Sequence, residues 1–123
     1  MDGTLRADGV VELGGDARQR FYDSRGYGDP LDGNRLAVAP VEAAHLLSRG
    51  DLDAVDGMCL RDFLARVDVR EFVVYRDLRD RGFYLTPARF VDDRDAGDDV
   101  DFVVYPRGEG PWDDSVAYRI RVV

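Results

Sequence analysis

Lysine is absent from this sequence of 123 residues, and all 17 of its basic residues are arginines. Glutamate is scarce, because 21 of the 25 acidic residues are aspartates, and the formal net charge is −8. Short carboxylates without lysine suit a chain kept soluble in concentrated salt, where repulsion between like charges is screened. The composition therefore predicts a halophile's protein, whose acidity need not signal a basic partner or a metal site.

Cysteine and histidine each occur once. Cys59 cannot form an internal disulfide, so a reducing cytoplasm is the simplest location, and we expect this side chain to pack as a small hydrophobe. His45 lies between Ala44 and Leu46, which favours a packed helical side chain. A serine triad or a zinc site would have to be assembled around one histidine, so the sequence predicts neither of them and no cofactor.

Long apolar runs are also missing. No stretch approaches the roughly 18 apolar residues that a transmembrane helix needs. The N-terminal sequence "MDGTLRADG" has neither the basic nor the apolar region of a secretory signal. We therefore expect no membrane partner.

The pattern of residues 1–68 predicts a small mixed α/β subdomain. "TLRADGVVEL" reads as two short strands around a turn, and "RLAVAP" reads as another strand. Asp16 is placed to cap a helix over residues 17–25, which Gly26 ends. A second helix begins at Pro40 and ends at Gly50, and "LRDFLARV" predicts a third.

Residues 69–123 predict a helix packed on a mixed β-sheet, so the whole chain is of the α/β class. "VREFVVYRDLRDRGF" reads as the strongest helix, ended by Gly82. "FYLTPARFV" predicts two short strand pieces bent at Thr86-Pro87, and "DFVVY" and "VAYRIRVV" predict strands. The sequence stops inside the last strand, so we expect a longer protein that continues past Val123 and an exposed strand edge that seeks a partner.

The aspartates of the acidic loop "DDRDAGDDVD" are candidate ligands for a metal ion. An EF-hand calcium loop that starts at Asp92 fails, because Arg94, Ala96 and Val103 stand where oxygen ligands are needed. A Mg²⁺-dependent nuclease that uses Asp99 and Asp101 stays open as an alternative. A solvated acidic loop without metal is the favoured interpretation.

Three arginines of the long helix, Arg76, Arg79 and Arg81, have two interpretations. Each guanidinium could bind a phosphate with two hydrogen bonds. They could instead form a solvated helix face that pairs with Asp77 and Asp80, and we favour this interpretation.

Two segments together resemble the tRNA-intron (tRNA-splicing) endonucleases of archaea. The stretch from Val74 to Gly82 reads V-Y-R-D-L-R-D-R-G, and the stretch from Asp101 to Tyr105 reads D-F-V-V-Y. "LAVAPVEAAHLLSRGDLD" is also similar to a helix of the family's N-terminal subdomain. The resemblance spans residues 36–123 and rests on the combination of these pieces.

This resemblance implies a metal-independent chemistry carried by three side chains. A tyrosine acts as the general base on the 2′-hydroxyl, a histidine protonates the leaving oxygen, and a lysine stabilises the charge that develops on the phosphate. The products are a 2′,3′-cyclic phosphate and a 5′-hydroxyl.

The family's catalytic positions match this sequence only in part. Tyr105 stands at the position of the tyrosine, and Ser115 matches the serine that follows the histidine. Asp114 holds the histidine's place, and an ionised aspartate cannot protonate a leaving oxygen. The lysine is expected beyond Val123. The resemblance therefore implies the N-terminal, degenerate repeat of a two-repeat haloarchaeal chain, in which Tyr105 is a vestige of the chemistry.

What this resemblance implies for function is a structural role. Residues 1–68 would be the N-terminal α/β subdomain of the repeat, and residues 69–123 a truncated nuclease-like subdomain that cleaves nothing by itself. The whole protein would remove introns from precursor tRNA at bulge-helix-bulge sites. Its partners would be the catalytic C-terminal repeat, a second copy of the chain in a homodimer, and precursor tRNA.

Some side chains are candidates for contact with RNA or with another protein surface, and two alternative functions stay open. Arg76, Arg79 and Arg81 are candidates for RNA contact, and Trp112 is a candidate interface anchor. A stand-alone interaction module with the same fold is one alternative. The metal-dependent nuclease that uses Asp99 and Asp101 is the other.

Overall fold

Two β-sheets carry the fold of the computed structural model, which describes residues 1–90, 100–113 and 118–122. The first sheet has the strand order β3-β4-β2-β1-β5 and is mixed, because β1 pairs with β5 in parallel and the other pairs are antiparallel. Its strands are β1 (Asp2–Leu5), β2 (Val11–Leu13), β3 (Asp29–Pro30), β4 (Leu36–Val38) and β5 (Ala54–Val55).

The turn between β1 and β2 shows how local chemistry sets the register of this sheet. The carboxylate of Asp8 accepts the Val10 N–H at 3.0 Å, and Gly9 adopts φ +88°, which glycine tolerates best. The register then pairs Leu5 with Val11. The two strands that the sequence predicted here are confirmed.

Four helices lie in the part of the chain that the structure describes. They are a π-helix (Arg18–Asp23), α1 (Pro40–Ser48), α2 (Leu60–Phe63) and α3 (Val69–Asp80), with short 3₁₀ turns at Asp32–Asn34, Leu64–Arg66 and Ala88–Phe90. The helix predicted over residues 17–25 is therefore present, but its core is π-helical and no side-chain cap from Asp16 forms. Asp68 caps α3 by accepting the Arg70 N–H, and Gly82 at φ +91° follows its end, as predicted.

The second sheet consists of β6 (Leu85–Pro87), β7 (Phe102–Val104) and β8 (Tyr118–Ile120), in that order. These described strands are all antiparallel, where the sequence had predicted a mixed sheet. Residues 88–90 form a 3₁₀ helix where the sequence had predicted a second strand piece, and the Ala88 N–H donates to the carbonyl of Asp101, which precedes β7, at 2.9 Å. The predicted α/β class is confirmed.

The hydrophobic core is continuous across residue 68. Phe72 and Tyr75 of α3 are buried in the same cluster as the side chains of β2, β4 and α1. The predicted division into residues 1–68 and 69–123 corresponds to the two sheets, and it stays a prediction as a domain boundary. Cys59 was expected to pack inside, and this prediction is wrong, because the residue is exposed at the start of α2.

No helix among residues 1–90, 100–113 and 118–122 is long and apolar enough to cross a membrane.

Candidate active site at Tyr105

Tyr105 leaves the end of β7 and is buried, with only 6% of its surface exposed. Its hydroxyl forms a 2.9 Å hydrogen bond with the hydroxyl of Thr86, and its backbone N–H donates to the Tyr84 carbonyl at 3.1 Å. The ring packs in a small cluster with Val103 and neighbouring apolar side chains. The family's tyrosine position is therefore built into the interior of the second sheet.

The acid that this chemistry requires is not assembled beside Tyr105 in the described residues. Asp114 and Ser115 lie outside the residues that the structure describes. The carboxylate of Asp113 accepts the Gly110 N–H at 2.8 Å and closes the local turn. His45, the only histidine in the sequence, lies in the larger core cluster, away from the cluster of Tyr105.

In the described part of the chain, the contacts of Tyr105 are those of a packed side chain. A general base needs direct reach to the substrate hydroxyl, or reach through one water molecule. A buried ring offers that reach poorly, and among the described residues the Tyr105 hydroxyl bonds the neutral hydroxyl of Thr86. The arrangement therefore supports β6–β7 packing by a hydrogen bond between two buried side chains.

The three arginines named from the sequence occupy different environments. Arg76 is exposed, with its guanidinium 5.5 Å from the centre of the Phe72 ring. Arg81 is exposed and pairs with Asp77 at 3.1 Å, which is the i,i+4 pair that the sequence predicted. These two side chains lie on the surface, on α3 and at its C-terminal end.

Arg79 points into the protein. Its guanidinium donates to the carbonyls of Arg25 and Gly26 and to the Tyr75 hydroxyl, and it lies 3.9 Å from the centre of the Tyr27 ring. Its donors are thus used within the fold, so the RNA-contact hypothesis rests on Arg76 and Arg81.

Trp112 lies at the boundary between the two sheets. Its ring is 5.8 Å from the ring of Tyr22 and 5.8 Å from that of Tyr84, and both contacts are edge-to-face. A Cβ atom on Gly110 would fall 2.7 Å from the indole, so glycine is required for this close approach. Trp112 thus packs on both rings while 48% of its surface stays exposed.

The structure describes only one of the two aspartates, Asp99 and Asp101, that the metal-dependent nuclease alternative needs. Asp99 lies outside the described residues. The carboxylate of Asp101 accepts the Val122 N–H at 2.7 Å, and burial together with this neighbouring carboxyl raises the pKa of Glu71 to about 7. In the part of the chain that is described, no group of three or more His, Cys, Asp or Glu residues is placed to hold a metal ion.

A buried polar network on α1 was not predicted. Glu42 is fully buried, and its two carboxylate oxygens accept the N–H groups of Gly28 and Ala39 at 2.7 and 2.9 Å. His45 is 1% exposed and forms a 2.8 Å hydrogen bond with the Tyr27 hydroxyl. The signal in the sequence was a charged residue within the otherwise apolar helix "VEAAHLL".

Burial shifts the pKa of both network residues away from the charged form. Desolvation raises the pKa of Glu42 from 4.5 to about 7, although its two backbone hydrogen bonds oppose the shift. Desolvation lowers the pKa of His45 from 6.5 to about 4, assisted by the positive charges of Arg79 and Arg49. The buried imidazole is therefore neutral at neutral pH.

The sequence of this chain is similar to proteins of one known family. Residues 1–64 match the family described as "tRNA intron endonuclease, N-terminal domain". A tRNA-splicing endonuclease of Haloferax volcanii is 65% identical over all of this chain and 37% of its own length, and one of Haloarcula marismortui is 61% identical over all of this chain and 36% of its own. A third, from Methanosarcina mazei, is 33% identical over 97% of this chain and 33% of its own.

The chain belongs to the tRNA intron endonuclease family. The predicted resemblance is confirmed, and the organisms of the similar relatives agree with the halophile composition. The chain spans about a third of the length of the curated relatives that it matches.

Proposed function

We propose that this chain is the N-terminal, structural part of a tRNA-splicing endonuclease that removes introns from precursor tRNA at bulge-helix-bulge sites. The cut would leave 2′,3′-cyclic phosphate and 5′-hydroxyl ends. Family membership over the whole chain supports the activity of the complete protein. The cytoplasmic location predicted from the single cysteine is part of the same proposal.

The single observation that carries the non-catalytic role is the environment of Tyr105. Its hydroxyl is buried against Thr86, and the one histidine of the chain is committed to Tyr27 in another cluster. The acid and the phosphate-stabilising cation of the reaction would come from the catalytic C-terminal repeat. A second copy of the chain would complete a homodimer on the precursor tRNA.

Cleavage assays with precursor tRNA test this division of labour. We expect the chain of residues 1–123 to leave an intron-containing precursor uncut, with or without Mg²⁺, while the longer endonuclease cuts it. Cyclic-phosphate ends produced by residues 1–123 alone would contradict the proposed structural role. Cleavage by this chain that requires Mg²⁺ and disappears in Asp101→Ala would support the metal alternative instead.

Arg76 and Arg81 are proposed to contact the RNA backbone. Each single substitution to alanine in the longer protein should weaken precursor binding and reduce the slope of log affinity against log salt by about 1, because one phosphate contact is lost. Arg35→Ala is the matched control, since this exposed arginine lies away from α3, in the turn just before β4. An unchanged affinity and slope in both α3 variants would remove these residues from the RNA surface.

Trp112 is proposed to anchor the interface between two copies of the longer protein, since it is large, packs edge-to-face on two rings and is half exposed. Truncation of an aromatic anchor at the centre of an interface costs about 2 kcal/mol or more of binding free energy. Trp112→Ala should therefore weaken assembly by roughly 30-fold or more, measured by sedimentation. Trp112→Phe should retain most of the affinity, and assembly of the alanine variant at wild-type strength would refute the assignment.

A further inference from the structure

Side chains from the second half of the chain cap the end of the π-helix in the first half. The carbonyls of residues 24–26 follow the π-helix, where helical hydrogen bonding leaves acceptors unpaired. Tyr84 donates its hydroxyl proton to the Ser24 carbonyl at 3.3 Å, and Arg79 donates to the next two carbonyls. Three consecutive carbonyls thus depend on donors from residues 79 and 84.

The opposite side of the same segment is held by α1. Glu42 accepts the N–H of Gly28, and His45 bonds the hydroxyl of Tyr27. A partly buried ion pair between Arg25 and Asp51, at 2.9 Å, adds an ionic contact that solvent still reaches. We call residues 24–28 the strap, because they are hydrogen-bonded to side chains of both α1 and α3.

Two ionisable side chains, the fully buried Glu42 and the partly buried Arg79, act on this one short segment. Glu42 binds an N–H of the strap and Arg79 binds two of its carbonyls. None of the ion pairs in the described part of the chain includes Arg79. Its positive charge is instead met by carbonyl oxygens, a phenol oxygen and the faces of aromatic rings.

We propose that the strap is a latch that joins the two halves of the repeat, and that Arg79 is the residue that keeps it closed. Closure places Tyr27 over His45 and fixes the π-helix against Tyr84. When the strap opens, three carbonyls lose their donors and Arg79 becomes exposed. In the closed strap, the planar guanidinium of Arg79 fits these carbonyls better than a lysine ammonium would. The strap therefore opens as a local unit, without unfolding of either sheet.

The latch also resists salt. An ion pair that solvent reaches weakens as mobile ions screen it, whereas hydrogen bonds to neutral carbonyls inside the fold do not. The Arg25–Asp51 pair is thus the salt-sensitive contact of the strap, and the contacts of Arg79 are the salt-insensitive ones. In an acidic chain suited to concentrated salt, this chemistry keeps the strap attached to both helices.

Native-state hydrogen exchange tests the latch directly. The amides of Gly26, Tyr27 and Gly28 are all hydrogen-bonded and serve as reporters, while amides of β2 and β4 report on the sheet. Arg79→Lys and Arg79→Met should speed exchange of the reporters by about 10- to 100-fold, from the loss of charged hydrogen bonds. The sheet amides should change much less.

Three controls make the outcome decisive. Arg81→Met removes an exposed arginine from the same helix and should leave the reporters unchanged. Asp51→Asn should speed the reporters at low KCl and lose this effect at high KCl, whereas the effect of Arg79→Lys should persist. Tyr84→Phe removes only the Ser24 contact and gives a milder variant if the Arg79 variants do not fold. Reporters that stay protected in Arg79→Lys, or that speed up only as much as the sheet amides do, would overturn the proposal.

Discussion

Gly28→Ala should lower the free energy of unfolding by about 2 to 5 kcal/mol. Gly28 adopts φ +74°, where a side chain costs about 1 to 2 kcal/mol. A Cβ atom would also collide with the Ala37 carbonyl and fall 2.9 Å from a methyl group of Val38, and such overpacking costs about 1 to 3 kcal/mol more. The clash lies between the strap and β4, so the strap would be forced outward.

Gly33→Ala separates the two causes of this loss. Gly33 has nearly the same backbone angle, φ +70°, but its Cβ atom would have no neighbour within 4 Å. It should therefore lose only the conformational part, about 1 to 2 kcal/mol. Urea denaturation of both variants measures the difference, and equal losses would show that Gly28 is not closely packed against β4.

The second large effect is a pair of opposite pH dependences at Glu42 and His45. A pKa of Glu42 raised from 4.5 to about 7 means that the folded state binds the extra proton, so this residue makes the protein less stable as pH rises through that window. A pKa of His45 lowered from 6.5 to about 4 means that the unfolded state binds the extra proton, so this residue makes the protein less stable as pH falls. Each contribution is about 3 kcal/mol, at 1.36 kcal/mol for each pKa unit.

Single substitutions should reveal each contribution by removing it. The stability of Glu42→Gln relative to the wild type should improve by about 3 kcal/mol between pH 4.5 and pH 7. The stability of His45→Gln relative to the wild type should improve by a similar amount in the opposite direction, as pH falls from 6.5 to 4. Other carboxyls contribute equally to each chain and cancel in the difference.

The measurement is the free energy of unfolding against pH for the three chains. Glu42→Gln also removes one acceptor for a backbone N–H, which shifts its whole curve downward without changing the slope. The test is therefore the slope, against pH, of the difference in unfolding free energy between each variant and the wild type. Slopes of the same sign for both variants, or flat differences, would contradict the assignment of a neutral buried pair.

Local sequence patterns predicted the regular elements of this fold well. The alternating residues before and after Asp8 identified β1 and β2, and Pro40 with Gly50 bracketed α1, because turn and cap preferences act within a few residues. Short-range signals of this kind also placed α3 and its end at Gly82. The family resemblance relied on the same helix.

Long-range contacts could not be inferred from those patterns. Arg79 was grouped with Arg76 and Arg81 because all three lie on one polar stretch of helix, and only the fold turns it toward carbonyls more than 50 residues away in sequence. The strand direction in the second sheet and the exposure of Cys59 depend on tertiary packing in the same way. The candidate site at Tyr105 was located by motif, but its burial against Thr86 was not.

The vestigial role of Tyr105 is the central claim, and Tyr105→Phe in the complete endonuclease tests it most directly. Single-turnover cleavage of an intron-containing precursor tRNA by this variant should stay within about twofold of the wild-type rate, because the phenol hydroxyl takes no part in proton transfer. The corresponding tyrosine of the proposed catalytic repeat provides the positive control. A fall of about a hundredfold or more in Tyr105→Phe, the size expected for loss of a general base, would contradict the claim.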